Sequence, residues 1–136
     1  MWAHFEHRAD IGLRGYGPDM ASAFEQAALA LTAVVTDPAG VLAEEEIQIQ
    51  CRAPDPESLL VDWLNAVVYE MATRSMLFSE FDVDIYQSRL RARIRGEPVD
   101  RDSHQPAVEV KGATFTELQV REQEDGLWLA QCVVDV

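Results

Sequence analysis

Phe24, Ala27, Ala28, Leu31 and Val35 recur at the three- and four-residue spacing that keeps side chains on one face of a helix. Asp19, with Ser22 and Glu25 behind it, reads as the start of that helix. Thr36-Asp37-Pro38 ends it, because the residue before a proline is pushed out of the helical region. The pattern predicts a helix over about 20 to 35. A second helix opens on Asp55 with Pro56 at its first position, and Leu59, Leu60, Trp63, Leu64, Val67, Val68 and Met71 give it a wide apolar stripe for a core.

Elsewhere apolar and polar residues alternate, as on a half-buried strand. Residues 10–17 do so loosely and end in a Gly15-Tyr16-Gly17-Pro18 turn. Ile47 to Cys51, Phe81 to Ile85 and Leu90 to Arg95 alternate strictly, and the short Tyr86-Gln87-Ser88-Arg89 link makes the last two a hairpin. Gly96 to Pro106 reads as the one long loop. Ala107 to Lys111, Thr114 to Glu122 and Leu127 to Val134 complete the strands, the last two joined by a turn at Glu124-Asp125-Gly126. The expectation is a single α+β domain over 1–136: a mixed sheet of about six to seven strands with two helices on one face.

Charge narrows the choice of partner. Among 136 residues there are 24 acids and 11 bases, a formal net charge of −13. That balance argues against tight nucleic-acid binding, which draws its affinity from Lys and Arg on phosphates, and suits a basic protein partner or a bound cation. The arginines at 89, 91, 93 and 95 read as the solvated face of a strand, paired across to Asp82 and Asp84. Cys51 and Cys132 lie far apart in apolar runs and read as small buried hydrophobes, not as a metal knuckle or redox pair. With no apolar run long enough to span a bilayer and no secretion-type leader, the expected location is the cytoplasm.

Candidate chemistry gathers at the two ends of the chain. Asp10 and Asp135 each sit inside an apolar, strand-like run, and a buried carboxylate is unstable unless a cation, hydrogen bonds or a metal compensates it. If the ends meet, these acids and the terminal carboxylate of Val136 form a set of hard oxygen donors, which favours Mg²⁺, Mn²⁺ or Ca²⁺ over zinc or copper. His7 is either a further ligand, an outer hydrogen-bond partner, or a structural histidine; His4 reads as an exposed terminal residue. Lys111 shares a strand face with Glu109 and either pairs with it or stands beside Asp10 and Asp135; spacing leaves both open. No hydrolase triad or phosphate-cradling glycine loop is present in the sequence.

Several motifs in order carry a resemblance. They are His7-Arg8-Ala9-Asp10-Ile11-Gly12, Ser22-Ala23-Phe24-Glu25-Gln26-Ala27-Ala28, Thr36-Asp37, Leu59-Leu60-Val61-Asp62-Trp63-Leu64-Asn65, Gly96-Glu97 with His104, Glu109-Val110-Lys111 with Ala113-Thr114-Phe115, and the closing Val134-Asp135-Val136. Over essentially its whole length the chain is similar to the archease family. The resemblance implies a small acidic accessory protein, not an enzyme, that activates the GTP-dependent RNA ligase of tRNA splicing and RNA repair by promoting its guanylylation and multiple turnover. It implies a divalent cation on Asp10, Asp135 and Val136, with Lys111 functional beside them and His7, Glu109 and His104 as outer-sphere candidates. Chaperone-like modulation of RNA-processing proteins is the alternative the family suggests. Two positions depart from its pattern: Arg8 stands where threonine is usual, and Thr114-Phe115-Thr116 where Thr-Tyr-His is frequent.

Overall fold

A computed structural model describes all of residues 1–136. Its elements run β1 Trp2–His7, β2 Asp10–Gly17, α1 Met20–Val35, β3 Glu45–Arg52, α2 Pro56–Arg74, β4 Met76–Tyr86, β5 Arg89–Pro98, the short α3 Arg101–His104, β6 Gly112–Ala113, β7 Gln119–Glu122 and β8 Trp128–Asp135. The α+β class and both long helices are as expected. The strands, however, make two antiparallel sheets and not one mixed sheet: a five-stranded one in which β2 joins β1 to β8, with β6 and β7 on the far side of β8, and a three-stranded one in the order β3-β5-β4.

Both helices start where their caps say. Asp19 Oδ1 accepts the Ser22 amide at 2.8 Å, and the Asp19 amide donates back to Ser22 Oγ at 3.1 Å, a capping box. Asp55 Oδ1 accepts the Ser58 amide at 2.7 Å, with Pro56 in the first turn. Helix α1 packs against β2 and β8 on one side and β4 on the other, so it is the layer that holds the two sheets together. Phe24, Trp63 and Phe78 are fully buried in the shared core. Two buried donors tie its layers: Trp63 Nε1 donates to the Phe24 carbonyl at 3.0 Å, and Thr32 Oγ1 to the Phe78 carbonyl at 2.7 Å.

The differences from expectation have local causes. β1 joins the sheet as an edge strand, so its alternation is shallow and every second residue is exposed. Ala107 to Lys111 is no strand; its amides leave the ladder for single partners, Ala107 to the Val35 carbonyl and Lys111 to the Asp135 carbonyl, both at 2.8 Å. Of Thr114 to Glu122 only its end is strand, as β7; β6 comes before it, and between the two lies a turn in which Glu117 has φ of +54°. The loop expected over Gly96 to Pro106 is shorter, because β5 runs on to Pro98 and Asp100 caps α3. The β4–β5 hairpin and the turn at Gly126, where φ is +86°, fall where expected.

Helix α1 can lie on β2 only because residue 15 has no side chain. A Cβ on Gly15 would stand 2.2 Å from the Ala23 carbonyl oxygen and 2.3 Å from the Ala27 amide nitrogen, both backbone atoms that cannot swing away. Gly15→Ala should therefore lower stability by about 2 kcal/mol or more in urea unfolding; an unchanged midpoint would mean that the helix is not seated on this strand.

Candidate functional site

The signature His7-Arg8-Ala9-Asp10-Ile11-Gly12 is the β1–β2 hairpin. His7 pairs with Asp10 across a two-residue turn in which Arg8 takes φ of +56°. Ile11 turns toward the core. Gly12 leaves room for the Phe5 ring, whose atoms lie 2.2 Å from where a Cβ would be, and the Arg14 guanidinium covers that ring at 4.3 Å. The hairpin is thus fixed on its outer face by an aromatic–arginine stack, which sets the position of Asp10.

The two ends of the chain meet. β2 pairs with β8 from Gly17↔Trp128 to Ile11↔Val134, so one step further Asp10 stands opposite Asp135. The Val136 amide donates to Asp10 Oδ1 at 3.4 Å. On the other edge of β8, Gly112 pairs with Asp135 and the Lys111 amide donates to the Asp135 carbonyl at 2.8 Å. His7, Asp10 and Asp135 therefore form one row across three strands, on the face turned away from Leu13, Cys132 and Val134 of the core. Neither acid is buried as the sequence led one to expect: Asp10 is half-buried and Asp135 exposed, and like charges opposite one another in a sheet repel.

Lys111, the one lysine of the chain, is exposed and forms no ion pair. The alternative of a salt bridge to Glu109 is not formed; Glu109 is exposed on the coil leading to Lys111. Val110, between them, is 7% exposed and anchors the segment in the core. A residue whose role the sequence did not reveal completes the support: Asn65 Oδ1, on α2, accepts the Ala113 amide at 2.8 Å. That bond holds the Lys111-Gly112-Ala113 segment to the helix and accounts for the asparagine that ends the Leu59–Asn65 motif.

His104 is not part of this tip. It is buried, its Nδ1 accepts the Asp100 amide at 2.8 Å, and its Nε2 lies 2.9 Å from Glu97 Oε2. Glu97 also accepts the Leu42 amide at 2.8 Å, and these bonds, the backbone one foremost, hold its carboxyl below the usual range. The pair is a clip between β5, α3 and the coil that leads into β3. His4 is exposed as expected but not free, since its Nε2 lies 2.7 Å from the Ala30 carbonyl oxygen of α1. Burial pushes the Cys51 thiol up to about 11 and the Cys132 thiol up to about 12, so neither is a nucleophile near neutral pH. No three His, Cys, Asp or Glu side chains gather closely enough to hold a metal by themselves.

An α+β fold of two antiparallel sheets around a central helix, with the chain ends joined at one tip, defines a class of small proteins already known by structure. Residues 2–136 match the model of the Archease protein family, and the chain belongs to that family. It is 38% identical over 139 residues to the archease of Pyrococcus furiosus, covering 99% of this chain and 98% of that one. The solution structure of protein 1598 of Methanobacterium thermoautotrophicum superposes with a TM-score of 0.80 at 32% identity, over 99% and 98% of the two chains. The crystal structure of a Thermotoga maritima archease, described as a possible chaperone, shares the fold with a TM-score of 0.58 at 17% identity, over 97% and 94%. No helix is long and apolar enough to cross a membrane.

Two outcomes check the geometry. Asn65→Ala should lower stability by about 1 kcal/mol and cost the Ala113 amide its protection in hydrogen exchange; unchanged protection would remove Asn65 from the support of Lys111. Because the Glu97 carboxyl is depressed, its contribution is present above the ordinary carboxylate value of 4.5 and fades as pH falls through the lower folded value. Glu97→Gln should therefore be less stable near neutrality and show a shallower acid limb in pH-dependent unfolding.

Proposed function

We propose that this chain is a non-catalytic activator of a GTP-dependent RNA ligase, acting on broken RNA such as tRNA halves in splicing or repair. The observation that carries the reading is the meeting of the two chain ends, which sets Asp10, Asp135 and the terminal carboxylate of Val136 around one tip with Lys111 adjoining it. Two side-chain carboxylates and a terminal one are a fitting but incomplete donor set for Ca²⁺, Mg²⁺ or Mn²⁺; the rest of the shell would come from water or from the partner. A divalent cation held there would supply positive charge against nucleotide phosphates during guanylylation of the ligase.

The chain's own groups have separate tasks in this reading. The carboxylates of Asp10 and Asp135 hold the cation at the surface, where it can face a partner. Lys111 is left without an internal ion pair, so its ammonium is available for a phosphate or an acid of the ligase. Asn65 and Val110 keep it in position from behind. The net charge of −13 speeds encounter with a basic nucleotide pocket.

A second reading, chaperone-like modulation of RNA-processing proteins, is favoured by one feature. Val68, Met71, Met76, Val99, Val108 and Val110 line an open, largely apolar groove of about 430 Å³ beside α2.

One experiment separates the two: multiple-turnover RNA ligation by a cognate ligase, together with an aggregation assay on an unrelated client. Asp10→Ala, Asp135→Ala and Lys111→Ala should each abolish ligase stimulation while keeping the fold. Full stimulation by these variants would exclude the proposed site, and client protection that survives Lys111→Ala without any ligase stimulation would establish the second reading in place of the first.

A further inference from the structure

The outer face of the three-stranded sheet has a charge gradient along its strands. Its register sets the solvent-facing side chains in four rows: Glu46–Arg95–Glu80, Gln48–Arg93–Asp82, Gln50–Arg91–Asp84 and Arg52–Arg89–Tyr86. In the first row Arg95 is paired on both sides, to Glu46 at 3.1 Å and to Glu80 at 3.5 Å. In the second, Arg93 bonds Asp82 at 2.8 Å. In the third, Arg91 faces Asp84 without forming an ion pair, and in the last Arg89 has a second arginine on one side and an exposed tyrosine on the other. The acid nearest in sequence, Asp55, is committed to the cap of α2.

Arg52 opposite Arg89 is an unfavourable pair. Like charges directly across a ladder destabilise it, and a chain with 24 acids does not lack the means to neutralise one. Instead Arg52, Arg89 and Arg91, with Gln50, line a shallow depression of about 430 Å³ whose walls include no acid; Asp84 stands beyond Arg91, on its β4 side. Tyr86, 75% exposed, closes the same row. Guanidinium groups match phosphate oxygens two at a time, and an exposed ring beside them offers a face on which a base can stack.

We propose that the hairpin end of this face binds single-stranded nucleic acid, with backbone phosphates on Arg52, Arg89 and Arg91 and a base on Tyr86. The net charge of −13 averages over the whole surface; it makes the binding weak and strongly salt-dependent without removing the local positive field. An acidic peptide would satisfy the arginines but leave the exposed ring unused, so the tyrosine favours nucleic acid. The location is independent of the metal tip. Helix α1 starts beside the end of β2 and runs back toward Asp10, whereas the turn at Gln87 and Ser88 lies beside Met20 at the start of that helix. About 24 Å of helix, 16 residues, thus separates the two ends.

The test is fluorescence anisotropy of labelled dodecauridylate with the full chain. Binding should weaken with salt with a logarithmic slope of about −2, the value for three phosphates on a single strand. The double variant Arg52→Gln/Arg89→Gln should lose at least about tenfold in affinity at about 50 mM salt, and Tyr86→Ala about tenfold. Arg93→Gln, on the same face but already paired to Asp82, should stay within about twofold. The double variant loses a repulsive pair, so its thermal midpoint should equal or exceed that of the parent chain. The proposal is overturned if the parent chain shows no salt-sensitive binding, if Arg93→Gln loses as much as the double variant, or if polyglutamate displaces the RNA as efficiently as unlabelled RNA does. None of these outcomes depends on a ligase, so they leave the reading of the metal tip untouched.

Discussion

The pairing of β2 with β8 is the contact on which the rest of the molecule depends. It joins Ile11 to Val134 across nearly the whole chain, a closure whose entropic cost grows only slowly with loop length but must be met before the ladder forms. On its inner side this pair of strands carries Leu13 and Cys132 into the core, and Gly15 receives α1. On its outer side the same register aligns Asp10 with Asp135 and brings the C-terminus against the first hairpin. The core and the candidate site are thus two faces of one ladder, and a slip of one residue would exchange them.

The acidity of the chain is arranged, not uniform. At the tip, carboxylates from the two chain ends face one another, Asp135 exposed and Asp10 half-buried, and the nearby lysine is left unpaired; the facing acids repel, and water screens them. On the far sheet, acids neutralise the arginine row at one end and leave it bare at the other. The exposed ion pairs contribute little to stability; their effect is to decide which arginines remain available. One protein therefore presents an anionic end and a cationic end, separated by the length of α1.

Periodicity and capping residues were enough to locate α1, α2 and the β4–β5 hairpin, including the cross-strand match of Asp82 with Arg93. Those signals are local, and local signals suffice where an element's own spacing fixes its buried face. What they could not supply was partnership. Alternating residues do not say which strand pairs with which, so they do not distinguish two antiparallel sheets from one mixed sheet, nor do they mark β1 at the edge. Ala107 to Lys111 has the alternation of a strand but donates its amides singly to Val35 and Asp135. The candidate site was half visible: the unusual acids at the two ends stood out on chemical grounds, whereas the choice of Lys111 came from the resemblance to the archease family. In the sequence Asn65 is only part of a motif, because its bond to Ala113 exists only once β6 lies against α2. His104, grouped with the site by the same resemblance, turned out to hold Glu97 and Asp100 instead.

The central claim is that the joined chain ends form a cation-binding tip. Amide spectra recorded during a titration with Mn²⁺ address it directly, since a paramagnetic ion broadens only nearby resonances. The account predicts broadening that begins at Asp10, Ile11, Lys111, Gly112, Asp135 and Val136 and is lost in the Asp10→Ala/Asp135→Ala variant. Broadening that begins elsewhere, or that persists unchanged in that variant, would contradict it.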